Sequence, residues 1–349
     1  MNTDYRYFSK VLLKMKGLQL FFIILLIILF SACKENNVPG EKEDILPSNN
    51  IISIYIDKDD IKWFGTDAGL VCFDGNKWTT YKKVDGVAGD NINSLSYQKL
   101  QHGSELWVAT NSGVSVHAYD VDGISDATTY HKDNSGLLAD KVYTVNVDIN
   151  SSRWFGTSGG LTVFSGQQWS SKTYTEMRHK KIVCSSSTTD GWNYFGTAGS
   201  GVARYKFDDV DGITAASLID TDWSRIPDNN VHSVFVTQNN DQWYGTQNGV
   251  AFHKGNETRT GWTVYATTDG LISNVVLSVF EDSKGVVWFG TPEGLTSKNG
   301  NNWQSFTVAD GLSGNRINAI AEDKKGDIWL ATSNGISTFN GVNWAIFKK

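Results

Sequence analysis

The stretch Asp282-Ser283-Lys284-Gly285-Val286-Val287-Trp288-Phe289-Gly290-Thr291-Pro292-Glu293-Gly294-Leu295 decides how the chain is read. Its core, Trp288 to Thr291, recurs six more times. It appears as Trp63-Phe64-Gly65-Thr66, Trp107-Val108-Ala109-Thr110 and Trp154-Phe155-Gly156-Thr157. It returns as Tyr194-Phe195-Gly196-Thr197, Trp243-Tyr244-Gly245-Thr246 and Trp329-Leu330-Ala331-Thr332. The copies stand 40–49 residues apart. A period of about 40–45 residues is that of one four-stranded propeller blade. Each copy carries a β-rich run before the motif, then a Gly followed by an apolar residue, then an Asn/Asp/Gly turn and a last aromatic run. Such turns between short β-branched or aromatic runs predict hairpins. The fold expected is therefore all-β, a seven-bladed β-propeller with four antiparallel strands, A to D, in each blade.

Three further columns fit this frame. Six residues before the motif Trp stands Asp57, Asp148, Asp282 or Asp323, placed to accept backbone N–H groups in the A–B turn. Fifteen residues after it come Trp78, Trp169, Trp303 and Trp344, with Trp262 displaced by an insertion. Strand A carries only small residues at one place: Ser53, Ser94, Thr144, Cys184, Ser233, Ser278 and Ala319. Small residues belong on the innermost strand, where blades converge, and the Trp residues further out. Blade 1 is expected to begin near Asn50 and blade 7 to end at Phe347, so that ring closure rests on packing and not on a shared strand.

The pattern Asp-x-x-Gly-x-x-Trp-Phe-Gly-Thr-x-x-Gly-Leu, with Asp269-Gly270-Leu271 and Asn274 or Asp310-Gly311-Leu312 and Asn315 ahead of strand A, resembles the two-component regulator propeller repeat. The resemblance runs over about residues 45–349. It implies the periplasmic input half of a sensor kinase, often one responding to glycans. No kinase, receiver or DNA-binding segment follows the repeats within these 349 residues.

The first residues are read separately. Arg6, Lys10, Lys14 and Lys16 precede an apolar run from Leu18 to Phe30, too short for a bilayer span of about 20 residues. Phe30-Ser31-Ala32-Cys33 resembles the lipobox of bacterial lipoproteins, which implies cleavage before Cys33 and lipidation of its sulfur. A plain secretory signal or an uncleaved membrane stub is the alternative. The domain boundaries expected are 1–32 for the signal, 33–50 for the lipidated Cys and tether, and 51–349 for the propeller. The protein is thus expected in the cell envelope, as an outer-membrane lipoprotein held to the membrane through Cys33.

Charge limits the partners. The chain holds 31 basic and 37 acidic residues. Removing residues 1–32 would make the balance more acidic. That argues against nucleic acid, whose phosphates need clustered positive charge. A glycan or protein ligand is expected, bound by a monomer. The cysteines remaining after Cys33 are Cys72 and Cys184, three blades apart, and no disulfide is expected.

Ligands favour preformed concavities, which points to the mouth of the central channel. Candidate ligand-binding residues are Asn93, His232 and Asn318, each one residue before the small column, with Arg316 beside them. The D–A loop Met177-Arg178-His179-Lys180-Lys181 departs from the repeat and is basic, which suits an anionic ligand such as a uronate or sulfate. Satisfying strand ends or solvation explains these residues equally. Trp192 and Trp223 lie off the repeat pattern and are the Trp residues open to a ligand. Asp120 and Asp122, and again Asp209 and Asp211, begin a calcium-like Asp-x-Asp-Gly loop, although no downstream Glu completes it. No cofactor is otherwise expected. Signatures of Ser hydrolases, zinc proteases and phosphate loops are missing, so recognition is favoured over catalysis. The alternatives are an envelope scaffold and a propeller lyase or hydrolase. An enzyme would need an acid–base pair such as His179 or His232 near Asp140 or Asp228.

Overall fold

The computed structural model describes residues 45–349 apart from 102, 121–122, 174–180, 209–211, 223–225 and 256–259, and without the side chains of 119–126, 208, 215 and 216. These residues belong to one compact unit, Asp44–Lys349. It contains seven sheets of four antiparallel strands, each sheet formed from one continuous stretch of chain. The A strands are Ile51–Ile56, Ile92–Lys99, Val142–Val147, Ile182–Ser187, Val231–Val236, Ser278–Glu281 and Ile317–Glu322. In blade 6 strand A begins only at Ser278, and Val275 and Val276 precede its first paired residue. Val276 N–H instead bonds the carbonyl of Thr246 in blade 5 at 2.9 Å.

The wedge shape has a simple cause. Every small residue of strand A lies directly across from the third residue of the motif: Ser53 from Gly65, Thr144 from Gly156, Ala319 from Ala331. A Cβ on Gly65 would stand 2.7 Å from Ile92, the first residue of the next blade. Close approach of neighbouring blades therefore needs both partners small. Further out the aromatics fill the widening gap. Strand D Trp rings stack on strand C: Phe73 on Trp78 at 4.3 Å, Phe164 on Trp169 at 4.7 Å, Phe339 on Trp344 at 4.6 Å. The glycines of the Asp-Gly-Leu loops lie beneath those Trp residues. Gly270 has φ +129°, and a Cβ there would meet Trp303 at 2.6 Å.

Two polar devices stiffen the turns. The motif Thr is fully buried in all seven blades, and its hydroxyl donates to the Gly carbonyl that closes the B–C turn, at 2.8–2.9 Å. The Asp column does more than cap the A–B turn. One oxygen of Asp282 accepts the N–H groups of Lys284 and Val286, both at 2.9 Å, and the other accepts the indole N–H of Trp288 at 2.9 Å. Asp57, Asp148 and Asp323 repeat this clasp.

The ring closes as its other joints do. Gly335 N–H of blade 7 donates to the Asn49 carbonyl at 2.6 Å, as Gly249 donates to Asn274 at 2.6 Å between blades 5 and 6. Leu46 is buried against Trp329 and Ile336 of blade 7. Blades 1 and 7 share no strand. Buried Lys62 adds an ion pair across this joint, 2.8 Å from Asp60 and 3.5 Å from Asp323, with its ammonium 5.4 Å from the Trp329 ring centre.

Candidate functional site at the channel mouth

The seven A strands surround the axis. Beyond the small column the channel is narrow, about 240 Å³, and lined by Ser53, Ser94, Thr144, Cys184, Ser233, Ser278 and Ala319. One residue earlier in each strand the bore opens into a mouth of about 480 Å³. Ile52, Asn93, Tyr143, Val183, His232, Leu277 and Asn318 form its wall, with Asn50, Lys181 and Arg316 further out. The position in strand A sets which side chains meet there, because seven equivalent strands bring one residue each to the same height.

Asn93, His232, Asn318 and Arg316 thus converge as the sequence suggests, but their hydrogen bonds are largely occupied. Asn93 donates to the carbonyl of Val142 in blade 3 at 2.7 Å and to Asn111 Oδ1 at 3.0 Å. Asn318 donates to the carbonyl of Ile51 in blade 1 at 2.7 Å, and its Oδ1 accepts from Arg316 Nε at 3.0 Å. Both Asn residues therefore link neighbouring blades. His232 Nε2 lies 2.9 Å from Gln247 Oε1.

Lys181, the last residue of the basic loop, reaches the mouth, whereas Tyr143, Asn50 and the aliphatic wall were not singled out by sequence. The offset from the small column would have found the wall, had apolar residues been counted. Lys181 holds its ammonium 3.9 Å from the centre of the Tyr143 ring, and Lys141 stands at 5.3 Å from the same ring. Among the described residues, Lys181 and Arg316 make no ion pair. Among the described residues no carboxylate lines the mouth. Asp67 stands at its rim, where it accepts from Asn50 Nδ2 at 3.0 Å.

Other sequence candidates fall elsewhere. Arg178, His179 and Lys180 lie outside the described residues, as do Cys33, Trp223 and the side chains of Asp120, Asp122, Asp209 and Asp211. Among the described residues no group of His, Cys, Asp or Glu is arranged to hold a metal ion. Asp140 accepts the Lys132 N–H at 2.8 Å and Asp228 the Asn230 N–H at 2.7 Å. Both carboxylates brace loops, and neither lines the mouth. Trp192 is covered by Arg204 and Lys206, whose charged groups lie 4.9 and 4.5 Å from its ring centre. Cys72 and Cys184 are unpaired. Burial pushes both thiols up to about 12, so neither is an ionised nucleophile at neutral pH. Among the described residues no helix is long and apolar enough to cross a membrane.

Residues 270–293 and 311–334 match the two-component regulator propeller family. Those two stretches, in blades 6 and 7, are similar to the two-component regulator propeller repeat. Histidine kinase P4 of Formosa agariphila is 25% identical over 269 residues, covering 72% of this chain and 19% of the kinase. The chain thus spans about a fifth of that relative's length. The extracellular domain of a putative hybrid two-component system from B. thetaiotaomicron superposes with a TM-score of 0.67 at 21% identity, over 85% of this chain and 40% of that one. A catalytically inactive virginiamycin B lyase from Staphylococcus aureus, in complex with quinupristin, superposes with a TM-score of 0.62 at 13% identity, over 84% of this chain and 96% of the lyase. At these identities the two superpositions establish the propeller fold, which sensor domains and lyases share.

Proposed function

We propose that this propeller is an exported recognition module of the sensor type, taking a small ligand, glycan in character, at the channel mouth. The observation that carries the reading is the mouth itself. It is a preformed cavity of about 480 Å³ where polar and aromatic side chains from several blades converge. The match to two-component regulator repeats supports a sensing role over a scaffold. The absence of any carboxylate from the described lining favours binding over acid–base turnover. In this reading the chain is exported and held by a lipid on Cys33, with the propeller in the envelope.

The decisive experiment is binding of the purified full chain to a glycan array, with each hit incubated and analysed for products. Binding without products, abolished by His232→Ala with Tyr143→Ala, is expected. Product release would replace this reading with a lyase or hydrolase, and silence across the array would exclude a glycan. Labelled palmitate should enter the chain in cells and be lost in Cys33→Ala; equal labelling of both would remove the anchor.

A further inference from the structure

The mouth concentrates positive charge that the rest of the protein does not explain. The chain carries a net charge of −6. Yet the described mouth lining contains Lys181 and Arg316 and no acid, with Asp67 behind Asn50 at the rim. Exposed ion pairs contribute little, and among the described residues only Lys62 and Arg153 make one, at 2.8 and 3.1 Å. What sets Lys181 and Arg316 apart is that both line one cavity with no carboxylate among its described lining. Each is held in place by a neutral neighbour instead: Lys181 by the Tyr143 ring at 3.9 Å, Arg316 by Asn318 Oδ1 at 3.0 Å through Nε. That bond leaves the terminal guanidinium nitrogens available as a fork. Blades 4 and 7 place the two cations on nearly opposite sides of the ring, so one ligand in the cavity is within reach of both.

We infer that the mouth selects an acidic saccharide, one bearing carboxylate or sulfate groups that Lys181 and Arg316 hold from opposite sides. This rests on the mouth being the recognition site. Lys181 is half-buried and Arg316 exposed, and two positioned cations facing one cavity bind an oxyanion more strongly than either does alone. The low, aliphatic part of the wall, with Ile52, Val183 and Leu277, accepts the apolar face of a sugar ring.

The test is calorimetric titration of the full chain with digalacturonate, a sulfated galactose disaccharide and the neutral galactose disaccharide. At least one acidic probe should bind at least about tenfold more tightly than the neutral one, and added salt should weaken it. Lys181→Ala and Arg316→Ala should each cost about tenfold in affinity, with Lys181→Arg retaining most of it. Lys254→Ala, an exposed lysine away from the mouth, should change nothing. Both mouth cations are partly or fully exposed, so thermal midpoints should be unmoved. The two acidic probes separate uronate from sulfate recognition. Equal binding of the neutral disaccharide, or acidic binding indifferent to both alanine variants, would overturn the inference. If His232→Ala with Tyr143→Ala still abolished binding in that case, the mouth would stand as a neutral-glycan site. No binding of any of the three probes would also overturn it, leaving the wider array to judge the recognition reading.

Discussion

Blades 1, 3, 6 and 7 carry the Asp–Trp clasp, whereas blades 2, 4 and 5 lack it. In the first group one carboxylate closes the A–B turn and fixes the indole, as Asp148 does through Asn150, Ser152 and Trp154 at 2.7–2.9 Å. In the second group the substitutes are partial. Thr188 accepts the Trp192 N–H at 2.9 Å and Thr237 the Asp241 N–H at 3.1 Å, but neither reaches an aromatic N–H. Trp107 turns to Glu105 at 3.1 Å. Trp243 lacks a hydrogen bond of ordinary geometry, although Glu281 of the next blade stands close enough for its carboxyl to feel the indole. Buried polar atoms without partners occur in both groups, Gln98 Oε1, His117 Nδ1 and Arg204 Nε in the second and Ser53 Oγ, Arg153 Nε and Ser278 Oγ in the first. Strand order and pairing are nevertheless the same in all seven. Small-residue packing at the axis and aromatic stacking outside are therefore sufficient for the blade, and the clasp adds rigidity to a sheet already specified.

Breaking the clasp should give the largest effect. Asp148→Ala leaves two turn N–H groups, the Trp154 indole and Asn193 without their acceptor, and should cost about 3 kcal/mol in urea unfolding. Thr188→Ala in blade 4 should cost only about 1 kcal/mol. Equal losses would mean that the clasp is no stronger than its substitute.

The next effect is the dependence on pH that blade 2 contributes. His117 is fully buried where blades 1, 3 and 7 have Phe73, Phe164 and Phe339, and burial pulls its pKa from 6.5 down to about 4. The folded state therefore holds the neutral ring. Its contribution is complete above pH 6.5 and is lost as pH falls from 6.5 towards 4. By pH 5 this should amount to roughly 2 kcal/mol relative to His117→Phe, measured as the difference between their stability curves against pH. Parallel curves would show that His117 takes up its proton as readily folded as unfolded and so is not buried in solution.

The smallest effect sharpens the contrast by adding what is missing. Thr237→Asp in blade 5 supplies the carboxylate that Trp243 lacks, and should raise stability by about 1 kcal/mol, seen as a higher thermal midpoint. A lower midpoint would mean that the charge of nearby Glu281 outweighs the new bond.

The propeller was legible because its evidence is repeated: seven motifs at one period identify strand B, and counting from them finds the small column. The second half of the clasp was not legible, since a six-residue offset says nothing about where an indole N–H points. For the mouth, the same counting brought Asn93, His232 and Asn318 to one place. It could not say that the two Asn amides would be taken up by Val142 and Ile51 of the next blades. Nor could it find Tyr143 and Lys181 as a pair, because they belong to different blades and meet only where blade 3 packs against blade 4.

The joint at Asn49 has a mechanical consequence. Tension entering from the N-terminal side meets Leu46 before it meets any strand pairing. It would peel Leu46 from beneath blade 7 and then strain the Gly335–Asn49 bond. Blade 1 remains paired through four strands behind that point, held against blade 7 by the buried Lys62. The first segment to yield under load is thus a six-residue leader, Ile45 to Asn50, and its release would open the rim where Asn50 borders the mouth. A pull on the chain could then alter the shape of the binding cavity while the wheel behind it stays whole.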